Sequence, residues 1–238
     1  MEKIDIVPGT KYRIIQNKEM FSYGIDAILL SDFAKARGIV IDLGTGTGII
    51  PLRLSDNEDI DKIFGIEIQK EVADMAQRNV DLNNLNDKIE IWNMDLKELP
   101  EKLEKGSIDT IITNPPYMKS GGAVINNREN FAISRHEIKT SLEDIVKTSS
   151  FLLKQLGKLY IVHRPNRLVD VLCSLRENGI EPKYIKWVYP KKDKPANLFL
   201  LEAIKGAKRD FKYRKPLIVY RDDGEYTDDL LQIYDRER

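Results

Sequence analysis

The sequence predicts one α/β domain with a mostly parallel sheet of seven strands, the last two of which form an antiparallel pair. Short apolar segments typical of strands alternate along the chain with segments whose apolar residues recur at helical spacing. A glycine-rich turn, 44–48, stands between the first of these strands and the first helix. Strands separated by helices form parallel sheets with helices on both faces, whereas 183–189 and 197–204 have no helix between them.

The individual elements follow from the same patterns. The predicted strands cover 38–44, 62–68, 89–93, 108–114 and 157–163, with the closing pair at 183–189 and 197–204. One predicted helix begins at Ile49, and three more cover 70–84, 142–153 and 166–178. Gly179 ends the last of these helices. Because no long linker, repeat or low-complexity stretch interrupts the pattern, we expect a single domain over 1–238. Its two extensions are 1–37 and 205–238.

The composition is that of a globular protein, with 42% hydrophobic and 32% charged residues among 238. No apolar run approaches the roughly 18 residues of a membrane helix, and the charged start of the chain does not resemble a secretory signal. We therefore expect a cytoplasmic protein without a membrane partner. The single cysteine, Cys173, is expected to be a small buried residue of a helix.

Basic residues are concentrated near the end of the chain although the formal net charge is +0. Residues 183–215 contain eleven Lys or Arg against three Asp or Glu. Such a segment either contacts phosphates or is a solvated hairpin and loop. The candidates for phosphate contacts are Lys191, Lys192, Lys194, Lys208, Arg209, Lys212 and Arg214.

A candidate ligand site begins at the glycine-rich turn. Its spacing is GxGxG rather than the GxGxxG of dinucleotide-binding proteins, and an acid precedes it. Two further acids, Glu67 and Asp95, follow the second and third strands. A carboxylate at Glu67 can accept hydrogen bonds from both ribose hydroxyls of an adenosine, and Asp95 can accept from an adenine amino group. Taken singly, each of these acids could equally well be an ordinary surface residue at a strand end. Together the predicted cofactor-binding residues are Asp42, Gly44, Thr45, Gly46, Gly48, Glu67 and Asp95.

The candidate catalytic motif is Asn114-Pro115-Pro116-Tyr117, at the end of the fourth strand. An exocyclic amine on an aromatic ring is a poor nucleophile because its lone pair is delocalised. Two acceptors aimed at its N–H bonds, the Asn114 side-chain oxygen and the Pro115 carbonyl, favour a more tetrahedral nitrogen. The prolines stiffen the turn and Tyr117 offers a flat surface for stacking. This chemistry needs no metal, although a plain turn has a similar composition.

The glycine turn combined with the NPPY motif resembles the class I S-adenosylmethionine-dependent methyltransferases that methylate amines and amides. FSYGIDAILLSDFA at 21–34, the segment 133–137 and the closing 216–234 further resemble the bacterial tRNA(Val) adenine-N6 methyltransferase family. The resemblance implies a Rossmann-like class I methyltransferase fold, S-adenosylmethionine as cofactor, S-adenosylhomocysteine as product and an adenine near the tRNA anticodon as acceptor.

The same resemblance implies roles for residues outside the two motifs. The segment around Tyr23 and Asp26 lies against the cofactor in that family, so that 1–37 contributes to the cofactor site, and Asn114 borders the cofactor as well. Asp26 is alternatively a helix first-turn acid. Arg135 and His136 are candidates for contacts with RNA phosphate or base, although His136 is alternatively structural.

Other acceptors and other classes remain open at this stage. Guanine in ribosomal RNA, adenine in DNA and a release-factor glutamine are methylated by enzymes with the same motif. The release-factor enzymes carry a helical domain ahead of the glycine turn, and the 41 residues before Asp42 are too few for one. A non-catalytic RNA-binding protein with this fold is a second class. An NAD-dependent oxidoreductase is disfavoured by the GxGxG spacing.

Overall fold

The structure is a computed structural model that describes residues 2–17, 23–115 and 140–235. An N-terminal hairpin consists of β1 (Glu2–Ile6) and β2 (Arg13–Asn17). The central strands are β3 (Gly38–Leu43), β4 (Ile60–Glu67), β5 (Ile89–Asn93), β6 (Ile108–Thr113), β7 (Leu153–His163), β8 (Ile180–Tyr189), β9 (Leu198–Lys205), β10 (Lys212–Tyr213) and β11 (Leu217–Ile218). The helices are α1 (Ile25–Phe33), α2 (Ile49–Leu54), α3 (Lys70–Leu82), α4 (Leu99–Lys102), α5 (Leu142–Leu152), α6 (Leu168–Glu177) and α7 (Asp228–Tyr234).

The central sheet confirms the predicted architecture. Within the described residues its order is β10-β8-β9-β7-β6-β3-β4-β5, and β11 also pairs with β8. Strands β5, β4, β3, β6 and β7 are parallel, and β9 is inserted antiparallel between β7 and β8. All seven predicted strands are present. The two-residue strands β10 and β11 add to the outer edge of β8 and are too short to leave a sequence pattern.

The strand order reverses at β3. From β3 the chain continues outward through β4 and β5 on one side, and then returns to β6 and β7 on the other side. Such a reversal leaves a crevice at the carboxyl ends of the two diverging strands, where open α/β sheets bind their ligands. The glycine-rich turn and Asn114 directly follow these two strands.

The helices largely match their predicted bounds. Ser141 and Asp144 form a capping box at the start of α5, with reciprocal hydrogen bonds of 3.1 and 2.9 Å. A 3₁₀ turn, Pro165–Arg167, precedes α6, so this helix begins at Leu168 rather than at 166. The prediction that Cys173 is buried is wrong. The buried residues of α6 are Val171, Ser174 and Leu175, and Cys173 lies outside that stripe and is exposed.

The core consists of two apolar layers, one on each face of the sheet. One layer joins residues of the hairpin, α1, α2 and α7, including Ile14, Leu30, Leu52 and Leu230. The other layer joins α5 and α6 to the sheet. Within the described residues, no helix is long and apolar enough to cross a membrane.

Candidate active site

The pairing register aligns the ends of the four central strands. Leu43 of β3 pairs with Ile66 of β4 and with Thr113 of β6. Glu67, the last residue of β4, pairs with Asn93 of β5. The next residues along each strand therefore emerge at the same edge of the sheet. The structure thus brings the glycine-rich turn, Glu67, Asp95 and Asn114 together at one edge, which we call the carboxyl edge.

The glycine-rich turn needs its glycines for their backbone conformation. Gly44, Gly46 and Gly48 have φ angles of 76°, 56° and 82°, which side chains other than glycine adopt with strain. At Gly48 an added Cβ would lie 3.6 Å from the Cβ of Ala76, an ordinary contact distance, so α3 borders the turn on this side. At Gly44 an added Cβ would meet no atom within 4 Å, so the turn borders open space there.

Asp42 lies beneath this turn. The residue is 1% exposed, and its Oδ2 accepts a hydrogen bond of 2.7 Å from Thr45 Oγ1. Among the described residues, Oδ1 has no hydrogen-bond partner although it is buried. Burial raises the pKa of Asp42 to about 7; the Thr45 hydrogen bond opposes this shift, and the charge of Glu67 adds to it. The Oδ1 oxygen is a buried acceptor beside the glycine-rich turn that a ligand group or a water molecule can satisfy.

Glu67 has a role that the sequence did not predict. Its Oε2 accepts from the Gly46 backbone N–H at 3.1 Å, and Oε1 accepts from Gln69 N–H at 3.0 Å. Burial raises the pKa of Glu67, although these backbone hydrogen bonds act to lower it. The carboxylate therefore fixes the glycine-rich turn from the side of β4.

Asp95 caps the short 3₁₀ turn Leu96–Glu98. Its Oδ1 accepts from Lys97 N–H at 3.0 Å, and its Oδ2 lies 3.2 Å from Lys97 Nζ. This interaction holds the Asp95 carboxylate two residues beyond the end of β5. Its predicted role as an acceptor for an adenine amino group remains a prediction.

The catalytic motif is only partly within the described residues. Asn114 is partly buried and Pro115 is buried, and both directly follow Thr113, whose Oγ1 donates to the Leu43 carbonyl at 3.0 Å. This bond connects β6 to β3 just below the glycine-rich turn. Four other predicted site residues lie outside the described residues, and their roles stay predictions: Pro116, Tyr117, Arg135 and His136.

Tyr23 and Asp26 lie at the start of α1. Asp26 is in the first turn of this helix, where a negative charge is favoured by the helix dipole. Tyr23 packs against the apolar layer that contains α1 and α2. Burial raises the pKa of Tyr23, and the nearby Asp5 adds to the shift. The contact of these two residues with the cofactor stays a prediction.

Asn79 is a site residue that the sequence analysis missed. It is fully buried in α3, and its Nδ2 donates to the Thr47 carbonyl of the glycine-rich turn at 2.9 Å. A signal was present, because Asn79 is a polar residue in the buried stripe of Val72, Met75 and Val80. A polar residue in such a stripe must find hydrogen-bond partners inside the protein.

The basic segment 183–215 is divided between opposite edges of the sheet. β8 runs parallel to β3, so Lys191, Lys192 and Lys194 follow its end at the carboxyl edge. They lie three strands from β6, about 14 Å at about 4.8 Å per strand. β9 runs the opposite way, so Lys208 and Arg209 follow its end at the other edge.

Arg214 takes part in the packing of the fold. Its guanidinium lies 2.9 Å from Glu202 Oε2 and over the rings of Phe33 and Tyr184. Lys212 is exposed and pairs with Asp210 at 2.8 Å. Within the segment 183–215, the three lysines between β8 and β9 therefore follow a strand end at the same edge as Asn114.

Comparisons with known proteins agree with this architecture. The methyltransferase small domain family matches residues 11–173. A tRNA1(Val) (adenine(37)-N6)-methyltransferase from Porphyromonas gingivalis is 30% identical over 70% of this chain and 68% of its own length. Its counterpart from Parabacteroides distasonis is 28% identical over 81% of this chain and 80% of its own length. The structure of a predicted O-methyltransferase from Agrobacterium tumefaciens superposes with a TM-score of 0.70 at 21% identity, covering 89% of this chain and 96% of that protein.

A parallel sheet that reverses its order beside a glycine-rich turn, and that ends in an antiparallel pair, is the class I methyltransferase fold. The chain belongs to the methyltransferase small domain family and to the tRNA1(Val) (adenine(37)-N6)-methyltransferase family. Among the described residues, no group of three or more His, Cys, Asp or Glu side chains is arranged to hold a metal ion.

Proposed function

We propose that the protein transfers a methyl group from S-adenosylmethionine to N6 of an adenine in tRNA, near the anticodon. The observation that carries the proposal is the position of Asn114. This amide follows the strand next to β3, and the glycine-rich turn follows β3 itself. A ligand held at the turn and a base held at Asn114 therefore meet across one crevice, and membership of the family supports the tRNA acceptor.

The residues of the carboxyl edge suit this cofactor. Open space borders Gly44, Asp42 has a buried oxygen without a described partner, and the Glu67 carboxylate lies at the same edge as an acceptor for the ribose hydroxyls. We propose that Asp42, Glu67 and Asp95, with the glycine-rich turn, bind it, and that Tyr23 and Asp26 border it from the extension 1–37. The bound cofactor supplies a methyl group on a sulfonium, and S-adenosylhomocysteine is the product.

The chain's own contribution to chemistry is orientation of the acceptor nitrogen. The Asn114 side-chain oxygen and the Pro115 carbonyl accept hydrogen bonds from the two N–H groups of the adenine amine. These acceptors favour the tetrahedral nitrogen that develops as the new bond forms. Pro116 keeps the turn rigid, and Tyr117 stacks on the base. The amine loses one proton to solvent after the methyl group is transferred.

We propose that tRNA phosphates contact the loop between β8 and β9. Lys191, Lys192 and Lys194 are close enough to Asn114 to lie beside a bound tRNA loop, with Arg135 and His136 as further candidates. An adenine in a loop is extruded at a cost of a few kcal/mol or less because it is already unpaired. A tRNA substrate implies a cytoplasmic enzyme, and we propose that the chain acts as one domain over 1–238.

A turnover measurement tests the role of Asn114. Asn114→Ala should lower methyl transfer to unmodified tRNA by about 10²–10³-fold, because one oriented transition-state acceptor is lost. Affinity for S-adenosylmethionine should stay within about threefold, since the amide acts on the acceptor. Asn166→Ala is a matched control, because Asn166 is exposed in the turn after β7. Near wild-type turnover of Asn114→Ala would refute the mechanism.

A parallel assay of acceptors tests the substrate. Radiolabelled methyl transfer is measured on total tRNA, ribosomal RNA, genomic DNA and a release factor, and labelled tRNA is digested for nucleoside mass spectrometry. The proposal requires label in tRNA as N6-methyladenine. Label confined to another acceptor would refute the tRNA assignment and keep the methyltransferase activity. RNA binding without consumption of S-adenosylmethionine would refute the activity itself.

A further inference from the structure

We infer that Asn79 positions the glycine-rich turn and links the shape of this turn to the docking of the N-terminal hairpin β1–β2. Cofactor binding at the turn and hairpin docking on α3 then stabilise each other. The inference rests on the proposed function, because it takes S-adenosylmethionine as the ligand of the turn. Asn79 does not touch the reacting atoms in this scheme and is a positioning residue.

The hydrogen bonds of Asn79 fix its amide in one orientation. Oδ1 accepts from Ile15 N–H at 2.6 Å, while Nδ2 donates to the Ile15 carbonyl at 3.1 Å and to the Thr47 carbonyl at 2.9 Å. Both hydrogens of the amide are therefore used, one toward the hairpin and one toward the turn. A flipped amide would direct its oxygen at two carbonyl oxygens and its nitrogen at an N–H.

The turn depends on such contacts because its own backbone is permissive. Thr47 lies between Gly46 and Gly48. Glycine has more backbone freedom than other residues in the unfolded chain, so ordering this turn costs more conformational entropy. Glu67 holds the Gly46 N–H from the side of β4, and Asn79 holds the next residue's carbonyl from the side of α3. The two side chains thus determine the geometry of successive residues in the predicted cofactor site.

The hairpin meets α3 through a pair of matched amides. Asn83 accepts from Arg13 N–H at 2.9 Å and donates to the Arg13 carbonyl at 2.7 Å, as Asn79 does for Ile15. Four helical residues rise about 6 Å, and two strand residues rise about 6.8 Å, so the spacing of the asparagines matches the spacing of outward-facing groups on β2. The two amides therefore replace a neighbouring strand on the free edge of β2.

The two asparagines differ in one respect that makes a test possible. Both bind the hairpin, but Asn83 directs its second donor hydrogen at the Asn79 carbonyl of its own helix, at 2.7 Å. Only Asn79 of this pair bonds to the turn. Removing Asn83 therefore weakens hairpin docking and one contact at the end of α3 but leaves the hydrogen bond from Asn79 to the turn, whereas removing Asn79 affects the hairpin and the turn. Because coupling between two sites is reciprocal, the cofactor should in turn protect the hairpin.

The test combines calorimetry of S-adenosylmethionine binding with hydrogen exchange of the hairpin in the full chain. In the wild type, saturating cofactor should slow exchange in the peptide that contains Arg13 and Ile15. Asn79→Ala and the isosteric Asn79→Asp, which cannot donate to Thr47, should bind cofactor at least about tenfold more weakly. Their hairpin exchange should no longer respond to saturating cofactor. Thermal unfolding checks that each variant is folded.

Asn83→Ala serves as the matched control. Its hairpin should exchange faster than in the wild type, while cofactor affinity stays within about threefold and the cofactor still slows exchange. Two results would overturn the inference. One is a wild-type affinity for S-adenosylmethionine in folded Asn79→Asp, and the other is a rate of hairpin exchange in the wild type that saturating cofactor does not change. The second result needs no variant. Failure of the wild type to bind S-adenosylmethionine would instead contradict the proposed function.

Discussion

Replacing Asp42 with asparagine should make the protein more stable at neutral and alkaline pH. The Asp42 carboxylate is fully buried beneath the glycine-rich turn, and burial raises its pKa from the ordinary value of 3.8 to about 7. The fold therefore holds the proton more tightly than the unfolded chain does. As pH rises from about 4 through about 7, ionisation costs the folded state progressively more, and wild-type stability decreases.

The size of the effect follows from the shift in the pKa. A displacement of about three units corresponds to about 4 kcal/mol between the two states, which sets the upper range of the gain at pH 8. The amide introduced by Asp42→Asn would keep an oxygen that accepts from Thr45, because the Thr45 hydroxyl donates to a single oxygen of Asp42. The variant should thus be nearly as stable as the wild type at pH 4 and more stable at pH 8.

The assay is urea denaturation of both proteins between pH 4 and pH 8.5. Asp109→Asn provides a control of opposite sign. Burial alone would raise the pKa of Asp109, but hydrogen bonds from Lys154 Nζ at 2.7 Å and from Ile39 N–H at 3.0 Å outweigh it and lower the pKa. That variant should be less stable at pH 8. A stability difference for Asp42→Asn that does not change with pH would refute the reasoning.

Three further perturbations test other parts of the site. Glu67→Ala loses acceptors for Gly46 and for the proposed ribose hydroxyls, so calorimetry should show at least about tenfold weaker binding of S-adenosylmethionine, and unchanged affinity would remove Glu67 from the site. Burial, with Arg167 and Arg164, lowers the pKa of His163 to about 4, so folding should lose stability as pH falls from about 6.5 to 4. His163→Phe should reduce that loss by about 3 kcal/mol in urea denaturation, and an equal loss in both proteins would contradict this account. Affinity for tRNA, and with it methylation, should fall with salt by about 0.7 to 0.9 log units per phosphate contact for each tenfold change in salt concentration. Replacing three lysines of the β8–β9 loop with alanine should flatten this dependence and raise KM more than it lowers kcat. The three residues replaced are Lys191, Lys192 and Lys194. An unchanged salt slope would show that this loop does not contact the RNA.

The parts of the fold predicted from sequence are those that local patterns determine. Each of the seven predicted strands is a mainly apolar run, and the glycine-rich turn identifies where the strand order reverses. The hairpin β1–β2 left a weaker signal, the Pro8-Gly9 pair, with Gly9 at a φ of 69°. Its docking depends on Asn79 and Asn83, which lie more than 60 residues further along the chain. A local pattern holds no information on such a contact.

The site was predicted as a set of residue types at strand ends, and its internal contacts were not. The acid at Glu67 was expected to face a ligand, yet its bond to Gly46 spans 21 residues and depends on how the turn folds back over β4. The basic segment was treated as one surface because its residues are adjacent in sequence. The antiparallel course of β9 separates them, since it takes the chain from one edge of the sheet to the other.

Arg53 gives the ends of the chain an influence on the centre of the molecule. This buried guanidinium, in the helix that begins at Ile49, donates to the Pro8 carbonyl beside the hairpin turn, to the Ile233 carbonyl of α7 and to Ser31 Oγ of α1. A buried cation that loses acceptors is costly. A truncation that removes Ile233, or a replacement of the turn at Pro8, would therefore disturb the C-terminal end of α2, where Arg53 lies. Tags and fusions at either terminus are best separated from the folded part by a spacer, since tension on these segments acts on the helix that follows the glycine-rich turn.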